Sequence, residues 1–442
     1  MNEKFSYKRI FILGFGFFGI SIIWALYNAY VPIFLKDFAL SSFIIGIVMV
    51  IDNVFAIVML PYLGALSDKT RTRLGRRMPY ILIGAPSAAI FFALIPVARA
   101  HKNLALMMGT IILMNFFMAV FRSPVIALMP DITPSRFRSQ ANGIINFMGG
   151  LGALFAYFGG KALYDINYAL PFYVGAAMML IANLLVVIFI KEPEEYRKPS
   201  KKKVNLWELL KKTSHESFGE LKENLKDVFA SQEKSLLFIL LAIFLWFIAF
   251  NSLETFFTSY AKFELGIKES TGAFLLGLFA LGFMVFSIPA GFIGGRIGRK
   301  KTITLGLFVI IAVMLIALYL GTQAASGKIE VNFVVKAFAA LFLLGGFGWG
   351  MVNVNSLPMV VDMTTEEKVG GYTGLYYFFS MAANIFAPPL SGIAIDHFGY
   401  QSLLIFATMF FVLALIAVQF VRRGDIVGQK PQDIYELIPD MD

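Results

Sequence analysis

Cysteine is absent from this chain, which excludes disulfides, thiolate metal sites and cysteine nucleophiles together. Histidine occurs only at His101, His215 and His397, far apart and in segments expected to be loops, so no metal centre is expected. No nucleophile-and-base set stands out in the sequence, and neither an enzyme nor a cofactor site is expected. Charge is also scarce: Asp, Glu, Lys and Arg make up 15% of the residues against 58% apolar ones, and the mean hydropathy is +0.74. Soluble domains carry about 25% charged residues. Segments of strict polar and apolar alternation, which a membrane β-barrel requires, are missing. What remains is an all-α membrane protein.

Apolar runs long enough to cross about 30 Å of hydrocarbon recur along the chain. The pattern predicts twelve transmembrane helices at 10–34, 41–66, 79–100, 104–128, 139–162, 169–190, 235–260, 271–295, 302–321, 331–360, 370–394 and 402–421. The first is too long for a signal-peptide core and no small-residue cleavage site follows it, so it is expected to be retained. With the N-terminus placed inside, 29 of the 38 Lys and Arg residues fall in inner segments and seven in outer loops or at the outer ends of spans. That asymmetry predicts a multi-pass protein of the cell (inner) membrane with both termini cytoplasmic. It also accounts for the net charge of +10, leaving no basic groove for nucleic acid.

The chain repeats itself. Gly64-Ala-Leu-Ser-Asp68-Lys69 followed by Leu74-Gly75-Arg76-Arg77 after span 2 is echoed by Gly291-Phe-Ile-Gly-Gly295-Arg296 followed by Ile297-Gly298-Arg299-Lys300 after span 8. Asp131 precedes Gly143 by twelve positions, as Asp362 precedes Gly374. Two pseudo-symmetric six-helix bundles, 1–190 and 235–421, follow from this. The polar segment 191–234 is expected to link them on the cytoplasmic side, and 422–442 to form a cytoplasmic tail. Within the link, 204–212 and 220–230 have apolar residues near helical spacing, read either as helix lying on the membrane surface or as solvated linker.

In the stretch GALSDKTRTRLGRRMPYILIG (64–84), five basic residues and one aspartate sit between two apolar runs. The positive-inside rule explains the basic residues but not Gly64, Asp68 or their return in the second half. Gly64 would let a helix approach closely, Asp68 would lie against a neighbouring helix N-terminus, and Arg71, Arg73, Arg76 and Arg77 would bind carboxylates, Asp131 first among them. With Gly75, Arg296, Gly298, Arg299 and Asp362, these are the candidate gating residues. This arrangement resembles the signature of the major facilitator superfamily of transporters. The four inserted residues Thr70 to Arg73 make it similar to the proton-coupled sucrose transporters and the glycoside-pentoside-hexuronide cation symporters. The resemblance implies alternating access around a central cavity lined by spans 1, 4, 7 and 10.

Ionisable residues within spans are costly and therefore functional candidates. Asp52 in span 2, Arg122 in span 4 and Glu254 in span 7 are the candidates for cation coupling, Arg122 as a fixed charge because guanidinium keeps its proton. A structural ion pair or hydrogen-bonded carboxylate for Asp52 and a vestibule role for Glu254 are the competing readings. Lys336 lies near a helix end and can snorkel. Substrate-binding candidates are Trp24, Tyr27 and Asn28 with Ser21 in span 1, Asn115 and Arg122 in span 4, and Asn142 and Asn146 in span 5. Trp246, Asn251 and Phe250 in span 7, and Trp349 and Asn353 in span 10, complete the set. Amides and charges suit hydroxyls, and aromatic faces suit a sugar ring. Aromatic belts and interhelical asparagine bonds would explain each of them singly. The family pattern is not followed throughout: Asn115 and Ile126 stand where the sucrose transporters have an aspartate and an arginine, and Ala56 and Leu60 where the cation symporters have paired aspartates.

The expected function is uptake of a small-molecule sugar, a disaccharide or other glycoside, coupled to a proton or sodium ion, by a monomer in the lipid bilayer. A sugar uniporter, a proton-driven exporter of lipophilic compounds and a lipid scramblase are the alternatives. The glycines of span 5 (Gly149, Gly150, Gly152, Gly159, Gly160) are expected to permit tight packing. Pro388-Pro389 is expected to interrupt the ladder of span 11, and GGFGWG at 345–350, inside a span and without a lysine, is not a phosphate loop.

Overall fold

The computed structural model describes residues 6–134, 137–197, 232–364 and 369–425, with isolated positions between 219 and 229. The linker segments expected to be helical, 204–212 and 220–230, fall almost entirely outside the described residues. Among the described residues there is no strand, and the long helices match the twelve apolar runs. In order they are span 1 (Tyr7–Lys36), span 2 (Ser42–Met49 and Ile51–Lys69), span 3 (Met78–Ala100), span 4 (Leu104–Ile132), span 5 (Arg138–Ile166) and span 6 (Leu170–Phe189). Then follow span 7 (Ser235–Phe263), span 8 (Glu269–Ile297), span 9 (Arg299–Ala325), span 10 (Val331–Val361), span 11 (Val369–Phe398) and span 12 (Ser402–Gln419).

Among the described residues eleven helices are singly long and apolar enough to cross a membrane, and the bent pair of span 2 brings the number to twelve. Span 2 bends by 43° across 58–61, a break that hydropathy does not reveal. Spans 1, 5 and 6 pack together in the first half, and spans 8, 9 and 10 in the second. In lipid no aqueous hydrophobic effect drives helices together, so close contact must come from small residues. Gly152 of span 5 meets the Phe18 carbonyl of span 1, where a Cβ would have no room. Gly149, Gly150 and Gly160 face Ser21, Met284 and Leu26 less tightly, at 3.1, 3.2 and 3.1 Å from an added Cβ, and Gly159 meets only Phe155 of its own helix. The GGFGWG stretch is helical, with Gly346 pressed against the Phe279 carbonyl of span 8.

Span 11 departs from expectation, because its helix runs unbroken through Pro388-Pro389. The prolines lack the amides that would reach the carbonyls one turn back. Packing compensates: the Pro388 carbonyl occupies the space that a Cβ on Gly46 of span 2 would need.

Candidate functional site

Between the two sets of spans lies a cavity of about 290 Å³. Ser21 and Trp24 reach it from span 1, Tyr157 from span 5, and Phe250 and Glu254 from span 7. Spans 8, 9 and 10 close the other side with Phe279, Phe283, Met314, Phe342 and Trp349. The rings of Phe250 and Trp349 are stacked with centroids 4.4 Å apart and planes 4° from parallel, and Phe247 meets the same indole edge-on at 5.4 Å. One turn of helix separates Phe247 and Phe250, so span 7 grips the indole twice. Glu254 Oε1 accepts a hydrogen bond from Asn28 Nδ2 of span 1 at 3.3 Å, a polar contact that crosses between the halves. The indole N–H of Trp24 is buried without a partner among the described residues.

Asp52 and Arg122 lie apart from this lining. Asp52 falls in the first turn of the second helix of span 2, where Asn53 Nδ2 donates to its carboxylate at 2.9 Å. Arg122 is half-buried and within electrostatic reach of Asp52 but forms no ion pair with it. Glu254 acts on Asp52 from the opposite half.

At the membrane end that carries the 2–3 and 8–9 loops, the linker end, each half holds its own charge network. Asp131 is gripped by two arginines: Arg76 donates Nε–H at 3.1 Å and Nη2–H at 2.5 Å, and Arg77 donates Nε–H at 3.0 Å. Arg77 also bonds Asp68, Ser67 and the Gly64 carbonyl. Glu192, just beyond span 6, accepts from the amides of Arg76, Arg77 and Met78 at 2.8, 2.8 and 3.0 Å. Those amides open span 3 and have no intrahelical acceptor, so a carboxylate is favoured there. Tyr196 lies under the Arg76 guanidinium at 3.7 Å.

The second half reproduces the plan. Arg299 binds Asp362 and the Pro358 carbonyl, and Asp425, beyond span 12, accepts from the Arg299 amide at 2.6 Å. In both copies the glycine before the arginine has positive φ, +124° at Gly75 and +98° at Gly298, and a carboxylate sits where a side chain would project. Only glycine combines that backbone with so close an acid.

At the far end the halves are joined. Asp396 at the end of span 11 accepts from the amides of Ser42 and Phe43, the start of span 2, at 2.7 and 2.9 Å. Ser270 Oγ of span 8 donates to Asp165 of span 5 at 2.5 Å. Spans 2 and 11 pack closely over Ser42–Met49 and part along Ile51–Lys69, so these two spans are together at the far end and splayed at the linker end.

Several candidates occupy other places than the sequence suggested. Trp246 is fully buried in the core. Tyr27 and Asn115 are buried against each other, with 3.5 Å between the hydroxyl and Nδ2. Asn142 and Asn146 are exposed, Asn251 bonds Asn384 of span 11, and neither these three nor Asn353 line the cavity. Span 4 contributes nothing to the lining, whereas spans 5, 8 and 9 do. Gly64 makes only an ordinary contact, 3.4 Å from Ser123 Oγ to an added Cβ, and Asp68 meets arginines rather than a helix N-terminus. Arg71 bonds the Asp68 and Thr70 carbonyls, Arg73 and Arg296 are exposed, and Asp131 takes the arginine contacts expected of it. Glu192, Asp425 and Asp396 were missed; each is an acidic residue at or just beyond a span end, which is the available signal.

A family model described as Major Facilitator Superfamily matches residues 13–327 and 260–434. The chain is 27% identical over 376 residues to the glucose transporter GlcP of Staphylococcus epidermidis, covering 80% of this chain and 81% of the relative. It is 29% identical over 177 residues to the human proton-associated sugar transporter A, a match to 37% of this chain and 24% of that relative's length. The quinolone resistance protein NorA of Staphylococcus aureus is 23% identical over 188 residues, 42% of this chain and 46% of the relative. Among solved structures, the nucleoside transporter NupG superposes with a TM-score of 0.68 at 14% identity, covering 93% of this chain and 98% of NupG.

Proposed function

The chain belongs to the major facilitator superfamily, and from that membership we propose that it moves a sugar across the membrane by alternating access, with a cation, a proton by preference, driving uptake. The single observation behind this reading is the cavity between the halves, where one half-buried carboxylate, Glu254, faces stacked aromatic rings. A carboxylate accepts sugar hydroxyls and a ring face packs on the C–H surface of a pyranose. The likeness to a glucose transporter over most of the chain supports the same cargo.

In this reading the protein is a monomer of the cell membrane with a cytoplasmic linker end, and the splayed conformation is the inward-facing one. The Asn28–Glu254 bond ties the halves at the cavity, so binding at Glu254 bears on their relative position. Asp52, close to Arg122 and Glu254 but outside the lining, carries the coupling proton. The networks around Asp131 and Asp362 keep each half rigid, and Asp68, paired with Arg77 but 53% exposed, can exchange that pair for the second half when the linker end closes. Sugar-evoked alkalinisation of the medium, compared between wild type and Asp52→Asn, tests the coupling. Loss of the signal with sugar exchange retained supports it, and an unchanged signal rules Asp52 out. The match to NorA favours export of lipophilic compounds as the second reading, which drug-resistance tests on expressing cells separate from the first.

A further inference from the structure

The cavity is two-sided. Its residues with polar side-chain groups are Ser21, Tyr157 and Glu254, from spans 1, 5 and 7, with the indole of Trp349 from span 10, while Trp24 lines it with its N–H buried. The remaining wall, Leu276, Phe279, Ala280 and Phe283 of span 8, Met314 of span 9 and Phe342 of span 10, offers no polar side-chain atom. The amides that would have met more hydroxyls, Asn142, Asn146 and Asn353, are elsewhere.

A free disaccharide carries about eight hydroxyls, and each one buried without a partner costs about 1–3 kcal/mol. Four polar groups, three of them on one side, cannot serve them. One pyranose ring has roughly half as many, and the remainder of about 290 Å³ then borders an apolar wall that rewards apolar surface. Trp24 offers ring surface rather than a donor, because its N–H is buried out of reach of the cavity. Glu254, holding a hydrogen bond from Asn28 at 3.3 Å, keeps acceptor capacity for sugar hydroxyls.

We propose that the preferred cargo is a monosaccharide glycoside with an aryl or short alkyl aglycone. The sugar ring lies against Ser21, Trp24 and Glu254, and the aglycone lies against Phe279, Phe283 and Met314. This rests on the sugar-transport reading and narrows it.

The test is competition against glucose counterflow in proteoliposomes, with phenyl β-glucoside, unlabelled glucose, sucrose and phenol as competitors. Phenyl β-glucoside is expected to compete at a concentration at least tenfold below glucose or sucrose, with phenol alone ineffective. The ratio of phenyl glucoside to glucose potency should fall at least fivefold in Met314→Asn and persist in Phe283→Leu, which keeps the wall apolar. Equal potency of glucose, sucrose and phenyl glucoside overturns the inference and leaves sugar transport standing, and phenol competing as well as its glucoside also overturns it. Absence of counterflow for every sugar removes the sugar reading itself, and the inference with it.

Discussion

Replacing Asp396 with asparagine should open the far end of the molecule. The carboxylate caps the first turn of span 2 through the amides of Ser42 and Phe43, at 2.7 and 2.9 Å, and it is contributed by the other half. Hydrogen bonds to a charged group are worth about 1.5–3 kcal/mol against about 0.5–1.5 for neutral ones, and the helix terminus adds about 0.3–1 kcal/mol for a negative charge. Asparagine keeps one carbonyl acceptor and turns an N–H group toward the other amide, so the loss is about 1–3 kcal/mol. These bonds exist only while spans 2 and 11 are together, so the loss falls on the far-end-closed state and shifts its population about 5- to 150-fold. The native chain has no cysteine, so spin labels at Lys102→Cys and Lys328→Cys, in far-end loops of opposite halves, report the opening as a longer distance. Asp37→Asn is the control, because it breaks the Asp37–Arg99 pair of 2.6 Å at the same end but within one half, and it should leave the distance unchanged. An unaltered distribution in Asp396→Asn, or an equal shift in Asp37→Asn, refutes the reasoning.

Other outcomes follow from the same contacts. Gly75→Ala forces a side chain onto a backbone with φ +124° and into the Glu192 carboxylate, so it should destabilise by at least the 1–3 kcal/mol of such strain, read as a lower unfolding temperature in detergent; Gly109→Ala, with nothing near its added Cβ, should not. Asp131→Asn strips Arg76 and Arg77 of their shared carboxylate and should cost about 3–5 kcal/mol as a broken buried pair, whereas Asp362→Asn, whose aspartate is 45% exposed, should cost about 1 kcal/mol or less in the same assay. Trp349→Ala removes the ring stacked on Phe250 and should weaken sugar affinity about tenfold in counterflow, while Trp349→Phe retains most of it.

Hydropathy made the twelve helices legible because each must satisfy its backbone alone in lipid, and the apolar run records that need. The pairing of Arg76 with Asp131 was also legible, since a repeated motif placed a basic cluster and an acid at the same end in each half. Glu192 and Asp425 were not, because each acts through backbone amides of a helix far away in the sequence, and no side-chain pattern advertises a free amide. The cavity was half legible. Trp24, Glu254 and Trp349 stood out as polar or aromatic residues in spans, but Phe279, Phe283 and Met314 look in sequence like any lipid-facing residue. Trp246 and Asn115 erred the other way, for a buried polar-edged side chain can serve the core as readily as a cavity. The unbroken helix through Pro388-Pro389 shows that packing against Gly46 can hold a helix where local rules predict an interruption.

Glucose counterflow in proteoliposomes with no ion gradient tests the central claim most directly, since it requires only a sugar site that faces each side in turn. The account predicts transient accumulation of labelled glucose that is abolished in Glu254→Ala and unaffected by adding a protonophore. No accumulation of glucose or of any simple glucoside by the folded wild-type protein would contradict it.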